Sequence, residues 1–201
     1  MSVDATTAGQ AARAAAGRVA RANGWWGMVV FVATEATLFG TIIGSYFYLR
    51  FQATQWPPPG IEQPKLTLPL VLAGVLVATS VPVQVAFSSA LRARLAVARS
   101  ALLLAVVVQA GYLAMQVHLF LHDFDKVRPH DGAYGSIYVT MLGAHHVHVL
   151  VGLLLELWLL ARLLGGLTNY RLVGLQTTAF YWHFVNVLAV CVVLTQLSPS
   201  L

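Results

Sequence analysis

The stretch Leu172–Leu197, LVGLQTTAFYWHFVNVLAVCVVLTQL, runs for 26 positions without a charged side chain. A helix needs about 20 apolar residues to cross about 30 Å of hydrocarbon. The same reading applied outward finds four more such stretches. Between Arg21 and Arg50 the single charge is Glu35, and the intervals Lys65–Arg92, Arg99–Asp123 and Asp131–Glu156 hold none. Charged residues make up 9% of the 201 and hydrophobic ones 58%, against about 25% charged in a soluble domain. A soluble globular or disordered chain is excluded. The runs are continuously apolar rather than alternating in segments of about ten, so a β-barrel is excluded too. The sequence predicts an all-α integral membrane protein, a bundle of five transmembrane helices over about Gly24–Phe51, Leu66–Ala90, Ala98–His122, Gly135–Leu164 and Leu172–Leu197.

Orientation follows from the basic residues. Arg13, Arg18, Arg21, Arg92, Arg94, Arg99, Arg162 and Arg171 fall on one side of the five crossings, while Arg50, Lys65, Lys126 and Arg128 fall on the other among four acidic residues. The excess of basic residues marks the cytoplasmic side, which places the N-terminus inside and the C-terminus outside. Residues 1–23 are expected to be a cytoplasmic tail, disordered or a short surface helix, and residues 24–201 the membrane domain. Arginines interrupt the alanines of the tail, so no signal-peptide core is expected there. The prolines of Trp56-Pro57-Pro58-Pro59 favour a stiff extended connection. Pro82 is expected to kink the second helix, because its ring removes a backbone donor. The lone Cys191 offers no intrachain disulfide or cysteine cluster. The net charge of +5 belongs to loops at the membrane rather than to nucleic acid.

Ionisable residues inside such helices carry the information. Glu35 lies about 16 Å along the first helix at 1.5 Å per residue, near mid-membrane. A charge there is costly, so Glu35 is expected as a neutral acid donating one hydrogen bond to a histidine of the fourth or fifth helix. On the fourth helix His145, His148, Gly152 and Glu156 share one stripe, expected to face the bundle, with His146 pointing elsewhere. On the fifth, His183 and Asn186 share a face. Gln116, His118 and His122 approach the outer surface. Tyr46, Tyr48, Trp25, Trp26 and Trp56 fit the aromatic belts of the two interfaces.

Three uses of these groups remain open at this point. Two histidines on different helices, such as His148 and His183, can bracket a haem. Glu35, His145, His148 and His183 offer the donor types of a metal site. The third use is a hydrogen-bonded network that fixes helix packing. A haem-bearing quinol-oxidising anchor and a small transporter are the matching functional classes. The transporter class would bring repeats or paired broken helices.

Five segments in order resemble one family. Trp26-Gly27-Met28-Val29-Val30-Phe31 with Thr34-Glu35 is similar to the glutamate-bearing helix of cytochrome c oxidase subunit III. Trp56-Pro57-Pro58-Pro59-Gly60-Ile61, Asp131-Gly132-Ala133-Tyr134-Gly135-Ser136, Gly143–Val149 and Tyr181-Trp182-His183-Phe184-Val185-Asn186 resemble its later motifs. The resemblance spans about four-fifths of the chain and is to the short five-helix bacterial form. The chain departs from it at Asn186, where the family has aspartate, at His146 for glycine, and at Ala144 for an aromatic residue.

The resemblance implies a subunit without redox centres. It would pack directly against subunit I of a haem–copper oxidase, beside subunit II and other small subunits. It would support stability and proton uptake during O2 reduction and enclose phospholipid in a cleft, in a bacterial plasma membrane. Haem and copper would lie in the partner catalytic subunits. Glu35, His145, His148, Glu156, His183 and Asn186 are the candidate polar-network, proton or lipid residues. A quinol oxidase or nitric oxide reductase with the same accessory fold is the alternative.

Overall fold

The computed structural model describes residues 23–59, 61, 67–124 and 127–198. Residues 1–22 of the expected tail, with Arg13, Arg18 and Arg21, lie outside the described residues, as do Gly60, Glu62, Lys65, Asp125 and Lys126. Five helices are long and apolar enough to cross a membrane. They are α1 (Asn23–Gln52), α2 (Thr67–Leu91), α3 (Leu95–Phe124), α4 (Ala133–Leu164) and α5 (Asn169–Leu197). The described residues contain no strand.

Pro82 acts as expected. The helix of α2 is interrupted at Thr79, giving segments Thr67–Ala78 and Ser80–Leu91. Proline has no N–H for the carbonyl four residues earlier, and its ring crowds that carbonyl. The Thr79 hydroxyl donates to the Leu76 carbonyl in the loosened turn.

Helices α2, α3, α4 and α5 close a ring in which each packs on two neighbours, and α1 lies outside it against α4 and α5. Leu76, Val83, Tyr112, Val149, Trp182 and Val185 fill the middle of the ring. Ala86, Ala98, Leu102, Leu159 and Leu163 fill the end that holds the α2–α3 and α4–α5 connections. At that end Arg99 of α3 caps α4. Its Nη2 donates to the Leu163 carbonyl at 2.7 Å and its Nε to the same oxygen at 3.1 Å, satisfying carbonyls that a helix C-terminus leaves free.

Glycine permits two close approaches. A Cβ on Gly152 would lie 2.7 Å from the Trp182 ring, and one on Gly135 would strike the Arg128 carbonyl. At the opposite end Trp56 folds back onto the bundle. Its ring meets Tyr46 and Tyr134 edge-on at 5.4 and 5.0 Å, and its Nε1 donates to the Tyr46 hydroxyl at 3.0 Å. Tyr46 is therefore fully buried rather than part of an interface belt, because its hydroxyl finds a protein partner instead of water. Tyr48 and Trp26 are exposed, as belt residues are.

Candidate functional site

Helix α1 buries only Phe39 and Tyr46, so what holds it against the ring is concentrated at a few points. Its exposed hydroxyls are satisfied locally. Thr37, Thr41 and Ser45 each donate to the carbonyl four residues back, at 2.8–3.0 Å. Glu35 instead reaches across. Its Oε2 lies 2.8 Å from Nε2 of His148, which sits at the midpoint of α4. The His148 ring also meets Phe39 edge-on at 5.1 Å, while Phe31 and Trp25 of α1 meet Tyr181 and Phe180 of α5.

The other ring nitrogen defines the chemistry of this pair. Nδ1 of His148 lies 2.7 Å from the Ala144 carbonyl. A carbonyl only accepts, so Nδ1 carries a hydrogen. Nε2 then accepts from a neutral Glu35, or, in the imidazolium form, donates to a carboxylate. In both cases one proton lies between the two side chains. The pair is 12% exposed at His148 and 19% at Glu35, so it borders the outer surface of the α1–α4 seam and is not sealed inside.

The family-like segment Tyr181-Trp182-His183 ties α5 to two helices. The Tyr181 hydroxyl donates at 3.1 Å to the backbone carbonyl of His148 in α4, the same residue whose ring meets Glu35. Trp182 Nε1 donates to Thr79 Oγ1 at 2.8 Å. His183 reaches Ser80 Oγ and Gln84 Oε1, both at 3.2 Å, and Asn186 Nδ2 donates to Ser80 Oγ at 2.6 Å. The donors and acceptors run in one consistent order. Asn186 donates to Ser80, Ser80 to His183 Nδ1, and His183 Nε2–H to Gln84. The break above Pro82 positions Thr79 and Ser80 for these bonds.

Glu156 and His145 belong to a third seam. Glu156 is fully buried and accepts at 3.1 Å from Gln109 of α3, also fully buried. His145 faces Tyr112 of α3 at a long 3.5 Å, and Gln116 donates to the same tyrosine hydroxyl. The expected stripe therefore divides, with His145 and Glu156 toward α3, His148 toward α1 and Gly152 against Trp182 of α5. Positions three apart differ by about 60° around a helix, enough to select different neighbours when three helices surround α4. His146, off that stripe, still lies inside the bundle. It is buried against Phe120 of α3, because the buried arc of α4 is wide enough for adjacent residues. Gln109, Thr79, Ser80 and Gln84 are the partners that sequence reasoning missed; uncharged polar residues at the midpoints of α2 and α3 were the available signal.

The described residues hold no group of three or more His, Cys, Asp or Glu side chains able to share a metal ion. Both ring nitrogens of His148 and of His183 lie within hydrogen-bond distance of protein atoms.

Fold and polar seams together define a multi-pass α-helical membrane protein in which hydrogen bonds between interior side chains join neighbouring helices. The family Cytochrome c oxidase subunit III matches residues 3–196. The chain belongs to that family. It is 29% identical over 176 residues to cytochrome c oxidase subunit 3 of Lumbricus terrestris, covering 84% of this chain and 67% of that protein. It is 30% identical over 170 residues to the subunit 3 of Struthio camelus, covering 81% of this chain and 64% of that one. The chain thus spans about two thirds of the length of the relatives it matches.

Proposed function

We propose that this chain is the accessory, non-redox subunit of a haem–copper oxidase that reduces O2 at the expense of cytochrome c. It packs directly on the catalytic subunit I, with subunit II and smaller subunits nearby, and it binds phospholipid. Haem and copper reside in those partners. The membrane is the plasma membrane of a bacterium, with residues 1–23 and the α2–α3 and α4–α5 connections on the cytoplasmic side, the reading that the eight-to-four division of basic residues supports.

The observation that carries this reading is the use made of the mid-membrane histidines. His148 is held by Ala144 and Glu35, and His183 by Ser80 and Gln84. These groups hold helices in register and leave electron transfer to a partner. The Glu35–His148 pair, with its single shared proton and its partial exposure on the α1–α4 face, supports a role at the contact with that partner and in proton uptake.

The test is purification from native membranes in mild detergent. A haem–copper catalytic subunit should co-purify, and the separately isolated chain should show no Soret band. His148→Ala and His183→Ala should leave the haem spectrum of the complex unchanged. A stoichiometric Soret band in the isolated chain would overturn the proposal.

A further inference from the structure

One groove is not absorbed by these seams. It runs along the outside of α2 beside α5, with a volume of about 490 Å³, from Ser80 and His183 at mid-membrane to Arg92 and Arg94 at the α2–α3 connection. Its floor is already satisfied, since Ser80, Gln84 and His183 bond to one another and to Asn186. Its wall exposes Val81 and Val85. Ser88 and Ser89 lie below the arginines. Both arginines are exposed, and among the described residues no carboxylate lies within ion-pair distance of either.

We propose that this groove seats one anionic glycerophospholipid of the leaflet on the Arg92 side, its phosphate between Arg92 and Arg94 and one acyl chain along Val85 and Val81. The charge at the mouth selects an anion, and a basic pocket between transmembrane helices is a headgroup site. The length matches as well. Eleven residues separate Arg92 from Val81, about 16 Å of helix, which is half of the roughly 30 Å hydrocarbon core and so one leaflet. Ser88 sits one turn, about 6 Å, below Arg92, at the level where ester oxygens accept hydrogen bonds. A partner helix would leave the arginines to find separate carboxylates, and a free phosphate would make no use of the valines.

This deepens the lipid binding included in the proposed function. It is tested by lipid retention rather than oxidase turnover, so the two can fail separately. The intact complex is placed in nanodiscs of phosphatidylcholine with increasing phosphatidylglycerol, and native mass spectrometry counts the phosphatidylglycerol retained. Arg92→Gln with Arg94→Gln should retain one fewer and weaken its binding about 25-fold, about five-fold for each arginine. Val85→Trp keeps both arginines and fills an exposed part of the groove, and it should also retain one fewer. Arg50→Gln, at the other membrane face, should change nothing. The proposal is overturned if the arginine pair has no effect, or if phosphatidylcholine is lost equally. It is overturned too if Val85→Trp keeps the lipid, which would mean a surface anion held by the arginines alone, or if the variants lose a protein subunit instead of a lipid.

Discussion

Replacing Glu35 by alanine removes a hydrogen bond that ties α1 to α4 and strands Nε2 of His148 at mid-membrane. An interhelical hydrogen bond in a membrane averages roughly 0.6 kcal/mol and reaches about 1.7. The stranded nitrogen adds part of the roughly 1–3 kcal/mol that an unsatisfied buried group costs, because the His148 side chain is only 12% exposed. The expected loss is about 1 kcal/mol, concentrated on a helix that fully buries only two of its side chains. Glu35→Gln is the informative companion. Its amide N–H can donate to the same Nε2, so helix docking should stay within about 0.5 kcal/mol of the wild type. The measurement is a double-mutant cycle of Glu35→Ala with His148→Ala, followed by unfolding in mixed micelles, with a cysteine cross-link between α1 and α4 reporting docking. Assembly and initial O2 reduction should survive Glu35→Gln. If alanine and glutamine prove equally damaging, or if the cycle shows no coupling, the bond does not hold α1. If Glu35→Gln stops turnover in a fully assembled complex, the shared proton is obligatory and the tie is the lesser role.

Gly152→Ala places a methyl 2.7 Å from the Trp182 ring, and overpacking of this kind costs about 1–3 kcal/mol. Unfolding midpoints should fall clearly, and an unchanged midpoint would mean that α4 and α5 separate freely. Gln109→Leu alone strands the fully buried Glu156 carboxyl and should cost about 1–3 kcal/mol, whereas Gln109→Leu with Glu156→Leu should be nearly neutral. Equal losses for the single and double variants would contradict a pairwise seam. Reporter fusions at residues 1 and 201 should read the cytoplasm and the outside respectively, and termini on the same side would require an even number of crossings.

The spans were legible in the sequence because crossing a membrane is a local requirement. Some 20 uncharged residues in a row satisfy it whatever lies beside them. The break near Pro82 was legible for the same reason, since the missing N–H acts within one turn. The mid-depth of Glu35, His148 and His183 followed from counting residues along each span. Partner choice is not local. Bilayer and protein neighbours are equally apolar, so the hydrophobic pattern of a membrane helix does not say which face meets which helix. Only the tertiary structure separated His145 from His148, turned His146 inward, paired Glu156 with Gln109 and brought Ser80 to His183 and Asn186. Those outcomes depend on how three neighbours divide the circumference of α4 and on where the break in α2 presents its freed polar groups. Both are properties of the assembled bundle.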